Sequence, residues 1–176
     1  MYRITCLALI ILCLGFHGAM GQQGYPKPKA KSLLFYIQHN RGHNTYLYQL
    51  NVASKGGLDQ EKPIKVSRQL FDKNGEIRPL TDIQRRFAYG VKTRRLDDQS
   101  FSFVLAAYPE QEFLLKIISP GQGAVYTVVN GTKMKLDRLF LVQKDGTSGL
   151  GTKLDYILFQ GVRADGKPVT EKFVPQ

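Results

Sequence analysis

The sequence predicts a mainly β protein, an antiparallel meander closing into a barrel or sandwich, with one short α-helix near residues 81–89. Three observations lead there. From Ser32 onward, short apolar runs alternate with turn residues at a spacing that suits strands. Only the stretch around Thr81 carries the start and stop signals of a helix. Long loops and internal repeats are missing from the pattern, so the roughly nine strand-like segments must follow one another closely. Such a sheet protects its edges by closing or by pairing face to face.

Residues 1–21 read as a signal peptide: Arg3 supplies the charge, Ile4 to Phe16 the apolar stretch, and Ala19-Met20-Gly21 a small-x-small cleavage site. Cleavage there predicts a periplasmic or secreted protein with no transmembrane segment. Cys6 and Cys13 both lie in this leader, so the mature chain has no disulfide, thiol nucleophile or thiolate metal site. Residues 22–31, with Pro26, Pro28 and three lysines, read as a flexible basic lead-in. Residues 32–176 then form a single β-rich domain.

Along that domain, Leu33 to Ile37 is a continuous β-prone run, and Tyr46, Tyr48 and Leu50 alternate after a loop. Ile64 to Phe71 ends in Asp72-Lys73-Asn74-Gly75, a hairpin signal because Asn and Gly tolerate positive φ. Thr81 and Gln84 fit a capping box; Leu80, Ile83 and Phe87 share a helix face, and Gly90 is placed for a left-handed cap. Strands then resume. The expected inward sets are Phe101, Phe103 and Leu105; Phe113, Leu115 and Ile117; and Ala124, Tyr126 and Val128. Asn130-Gly131 turns into Met134, Leu136, Phe140 and Val142, and a glycine-rich loop from Asp145 to Gly151 leads to Leu154, Tyr156 and Leu158. Ala164-Asp165-Gly166 makes the last hairpin, into Val169 and Phe173. The unbroken runs at Leu33 and Phe113 suggest strands covered on both faces.

Charge is uneven. The chain carries 25 Lys+Arg against 14 Asp+Glu, and Lys62 to Arg95 alone holds ten bases and three acids. Gathered in space, these would hold phosphate, sulfate or carboxylate groups. Arg85, Arg86, Lys92, Arg94 and Arg95 are the candidate cations, with Asn44, Tyr48 and Tyr89 to line or orient a site. Nucleic acid does not fit, because export removes the protein from it and no recognition motif is present.

Catalytic signals are weak. His39 and His43 sit on a strand end and loop, with no acid close behind to complete a metal site, so no metal and no cofactor are expected. Asp97-Asp98 and Glu110/Glu112 are neighbours on turns rather than facing pairs. Ser148 lacks the closing glycine of a nucleophile elbow, where Leu150 stands instead. The expectation is therefore an exported, non-enzymatic domain that binds an anionic or amphipathic small molecule or an envelope surface. The alternatives are a hydrolase using His39 or His43 with a distant acid, and a structural or interaction protein of the envelope.

Two stretches and the chain's end carry a resemblance. Ile37-Gln38-His39-Asn40-Arg41-Gly42-His43-Asn44-Thr45-Tyr46-Leu47-Tyr48 is similar to the opening hairpin of the domain-of-unknown-function family 4833. Arg85-Arg86-Phe87-Ala88-Tyr89-Gly90 resembles that family's basic-basic-apolar-Ala-Tyr-Gly segment, and Tyr156 to Phe173 its last hairpin. The family's pattern has an arginine at His39, an asparagine at Gly42 and a tryptophan near Arg68. The resemblance implies an exported β-rich domain, often bacterial, and implies no activity.

Overall fold

The computed structural model describes residues 25–53 and 57–175; residues 1–21, expected as a signal peptide, lie outside them with Cys6 and Cys13. Eleven strands and one α-helix follow in chain order: β1 (Leu33–His39), β2 (Thr45–Leu50), β3 (Ile64–Leu70), β4 (Glu76–Pro79), α1 (Asp82–Phe87), β5 (Val91–Arg95), β6 (Ser100–Leu105), β7 (Tyr108–Ser119), β8 (Gln122–Val129), β9 (Thr132–Gln143), β10 (Leu154–Val162) and β11 (Pro168–Phe173). The main path through the sheet is β4-β3-β2-β1-β9-β8-β7-β6-β5, and it curls into a half-barrel. The mainly β expectation holds.

β9 organises this path. One of its edges pairs with β8 through Thr132 to Lys135 and with β1 through Arg138 to Leu141, the latter in parallel. Its other edge pairs along its length with β10, which in turn pairs with β11. Two wings, β1–β4 and β5–β8, thus leave one strand and face each other. The parallel β1–β9 contact departs from a pure antiparallel meander. β9 is long enough for β8 and β1 to share this one edge, the first antiparallel and the second parallel.

Between the wings lies an aromatic core. Phe35 stacks on Tyr48 at 4.2 Å and reaches Phe103 and Phe113 across the gap, each at 6.2 Å. Each such ring contributes roughly 1.5–3 kcal/mol by burial, and stacked pairs add about 1 kcal/mol.

Several expected inward sets are shifted by one residue. In β8 the core takes Val125 and Val129, and Val128 is exposed. β10 contributes Leu154, then Ile157 and Phe159, because a register shift between Leu154 and Tyr156 reverses the alternation. In β9, Met134 and Leu136 face the core, but so do Leu139 and Leu141; the switch lies opposite the Gln160/Gly161 shift. An extra residue in one strand flips every side chain beyond it. β1 is buried on both faces as expected, whereas β7 is buried in alternation on one.

Phe140, turned away from the core, is buried by a second small cluster. Tyr25 meets it edge-on at 5.2 Å, and the Arg138 guanidinium lies 4.6 Å over its ring. Pro28 is buried in the same lead-in, and Gln38 Nε2 donates to the Pro26 carbonyl at 3.0 Å. The residues expected as a flexible lead-in therefore lie along the outer surface of β1, from Tyr25 on.

β4 and β5 are the two ends of the main path, yet neighbours in sequence. Leu80 to Gly90, including α1, bridges the open seam between them. Thr81 caps the helix with the full reciprocal box: its hydroxyl accepts from Gln84 N at 3.3 Å, and Gln84 Oε1 accepts from Thr81 N at 3.1 Å. Two expectations for this segment fail. Ile83 and Phe87 face solvent rather than the core. Gly90 is not a left-handed cap; the helix ends at Ala88, and Gly90 matters for its lack of a side chain.

Candidate functional site

At one end of the half-barrel, a cleft of about 140 Å³ opens between the β1–β2 loop, the end of β9 and the residue after α1's last turn. His39, Arg41, Gly42, Asn44, Tyr46, Tyr89 and Gln143 form its walls. Each is placed by a different local cause. His39 is the last residue of β1, held by the parallel pairing His39↔Leu141. The loop after it is pinned to the end of β9: Asn40 N donates to the Leu141 carbonyl at 3.1 Å, and Asn40 Oδ1 accepts from Gln143 N at 2.9 Å. An ion pair joins Arg41 to Asp145 in the next loop.

Tyr89 enters from the seam. Its ring stacks on Tyr46 at 3.4 Å between centroids and 15° between planes. Its carbonyl accepts from the buried Tyr48 hydroxyl at 2.8 Å. The adjacent Gly90 carbonyl accepts from Ala106 N at 2.8 Å, tying the seam to the second wing as well. Gln84 Nε2 donates to the Tyr46 hydroxyl at 3.4 Å.

A hydrogen-bonded chain crosses the cleft wall. Gln143 Nε2 lies 3.2 Å from His39 Nδ1, and Tyr89 Oη lies 2.8 Å from His39 Nε2. With the amide nitrogen donating, Nδ1 accepts; the ring proton then sits on Nε2 and is donated to Tyr89. The Tyr89 hydroxyl hydrogen is left for another acceptor. Burial lowers the His39 pKa from 6.5 to about 4, so the ring is neutral near pH 7. Burial, reinforced by the neighbouring Tyr46, pushes the Tyr89 phenol up, and it stays protonated.

This sets a pH dependence of stability. The unfolded imidazole takes its proton near 6.5, while the folded ring resists until about 4. Stability is therefore full above pH 6.5 and falls as the pH drops toward 4, by about 3 kcal/mol in total from this group. Chemical denaturation of wild type and His39→Gln at pH 7, 5.5 and 4 checks it: the substitution is expected to remove that part of the acid sensitivity. Equal pH slopes would show that His39 is not the titrating group.

Of the candidate residues, Asn44 and Tyr89 line the cleft. Tyr48 is fully buried behind it and positions Tyr89. The five cations stand outside its lining. Arg85 pairs with Asp82, Arg94 with Glu112 and Arg95 with Asp98, while Arg86 and Lys92 are exposed. The cleft's own cation is Arg41. Arg41, Tyr46 and Gln143 line the cleft without being among the sequence-predicted site residues, and Gln143, 104 residues from His39, carries no signal in the sequence. His43 lies against Tyr25, with centroids 6.0 Å apart. Among the described residues, no carboxylate hydrogen-bonds to either histidine, and no cluster of three or more metal-binding side chains occurs.

A second cavity, of about 290 Å³, lies at the opposite end, where β2 finishes and β7 turns into β8. Its walls include Leu50, Leu58, Ile117 and Pro120, and among the described residues no Lys or Arg lines it.

Fold and cleft together define a half-barrel β domain with a polar, singly cationic pocket at one end. The family model of a domain of unknown function, DUF4833, matches residues 35–172, and the chain belongs to that family. No curated protein and no solved structure matches the chain. The two stretches that carry the family resemblance, around His39–Tyr48 and Arg85–Gly90, both contribute lining residues to the cleft.

Proposed function

We propose that this chain is an exported, non-enzymatic binding domain whose cleft receives the anionic end of a small molecule. One observation supports the reading above all. The cleft gathers a cation, Arg41, with the hydrogen-bonding side chains of Asn44, Tyr89 and Gln143, held by a network anchored on two strands and the seam. A guanidinium offers a fork of donors suited to carboxylate or phosphate oxygens, and fixed amides and hydroxyls orient the remainder. The stacked Tyr46–Tyr89 pair supplies an apolar wall beside them. Arg41 is only lightly committed to Asp145, since an exposed ion pair is worth about 0–1 kcal/mol. A histidine-assisted hydrolase would need a carboxylate behind the imidazole, and His39's partners are Tyr89 and Gln143 instead.

Titration calorimetry with inorganic phosphate, sulfate and benzoate tests the proposal. At least one is expected to bind, and Arg41→Ala is expected to weaken it by roughly 10–100-fold, the worth of a charged hydrogen bond. Arg85→Glu/Arg86→Glu is expected to change it about twofold or less, because those residues do not line the cleft. Unchanged affinity in Arg41→Ala would refute the assignment of the anion to this cleft.

A further inference from the structure

α1 buries none of its own residues, although it bridges the seam of the half-barrel. Its attachment comes from its ends: Leu80 is buried just before it, and Tyr89 and Gly90 are tied down just after it. From the helix itself, Gln84 reaches the Tyr46 hydroxyl. Ile83 and Phe87, one helical turn apart, are left 59% and 55% exposed. A large aromatic and a branched aliphatic side by side on a solvent-facing helix are not explained by packing.

Their surroundings are cationic. The Arg86 guanidinium stands 5.9 Å over the Phe87 ring. Arg85 is largely exposed, with its single ion-pair partner, Asp82, on the same helix. Lys62 to Arg95, the segment that contains α1, carries ten bases against three acids. Among the described residues no helix is long and apolar enough to cross a membrane, so any bilayer contact made by this segment is superficial.

We propose that α1 is a docking surface for an anionic lipid bilayer, with Ile83 and Phe87 seated at the headgroup–acyl boundary and Arg85 and Arg86 among the phosphates. Charge complementarity selects this occupant: an apolar pair flanked by arginines matches an interface that is apolar below and anionic above. The capping box and the anchored Tyr89–Gly90 pair hold the segment in shape beforehand, so little ordering is required on contact.

Cosedimentation with vesicles of phosphatidylcholine alone, and with phosphatidylglycerol replacing a third of it, tests this. Partitioning onto the anionic vesicles is expected to be about tenfold stronger and to fall with added salt. Ile83→Ser/Phe87→Ser is expected to lower it by about tenfold or more. Arg85→Glu/Arg86→Glu is expected to lower it by at least about fivefold per arginine, since each exchange removes an attraction and adds a repulsion. Lys133→Glu, an exposed charge on β9, serves as the control and is expected to leave it unchanged. All four exchanged residues of α1 are exposed, so the variants are expected to fold, and their circular dichroism spectra check it. Equal partitioning of wild type and the serine variant, or equal binding to both vesicle types, would overturn the proposal. So would self-association of wild type that the serine variant loses in the absence of vesicle binding, since the face would then belong to a second copy of the chain.

Discussion

Gly161→Ala is expected to destabilise the protein by about 3 kcal/mol, which for a domain of this size lowers Tm by roughly 10 °C. Gly161 sits in β10 where the β9–β10 pairing shifts register, opposite Leu136. A methyl carbon placed on it would lie 2.1 Å from the Lys135 carbonyl oxygen and 3.0 Å from its carbon. Both are backbone atoms of the paired strand, so no side-chain rotation relieves the clash. The same stretch of β9 changes neighbours from β8 to β1, and the two wings diverge there. A strand that cannot approach at Gly161 disturbs the strand on which both wings depend. Gly151→Ala is the matched control, with nothing within 4 Å of the added carbon and no left-handed φ. It is expected to change stability by about 0.5 kcal/mol or less. Thermal and chemical denaturation of both variants measures the contrast, and equal stabilities would contradict this role for Gly161.

Gly90→Ala is expected to cost a similar amount, about 3 kcal/mol, and also to disable the cleft. The added carbon would lie 1.9 Å from the Arg85 carbonyl oxygen and 2.9 Å from its carbon, inside the last turn of α1. Relief requires the helix end and the 88–91 backbone to part. That movement displaces Tyr89, breaks its hold on the Tyr48 hydroxyl and loosens its contacts with Tyr46 and His39. Anion affinity is then expected to fall by at least about tenfold under conditions where the variant is still folded. Gly161→Ala, well away from the cleft, is expected to lose stability while its folded fraction keeps its affinity. A Gly90→Ala protein that binds like wild type would show that Tyr89 does not shape the site.

Much of the fold was legible because it rests on local chemistry. Thr81 and Gln84 form the capping box that their spacing predicts. Asn74-Gly75 and Asn130-Gly131 both adopt positive φ, as their hairpins require. What the sequence concealed is non-local. No window of residues shows that Leu154 and Ile157 share a face, because the register shift between them depends on the partner strand. Ile83 and Phe87 have core spacing, but the seam gives the inward position on the helix to Gln84, and the apolar pair points out. At the site, Asn44 and Tyr89 could be anticipated from the motifs that contain them. The choice of Arg41 over the denser arginines near residue 85 could not, since charge density along the chain does not say which charges meet a cleft. Gln143 was invisible, because an ordinary strand-end glutamine becomes a site residue only through the parallel pairing of β1 with β9.

The cleft as the anion site is tested most directly by nuclear magnetic resonance of the His39 imidazole nitrogens, followed at pH 7 while inorganic phosphate is added. The ring is expected to be neutral with its proton on Nε2, and the His39, Gln143 side-chain and Arg41 Nε signals are expected to move together and saturate. A charged ring, or a titration that shifts only Arg85 and Arg86 and leaves His39 and Gln143 in place, would contradict the assignment.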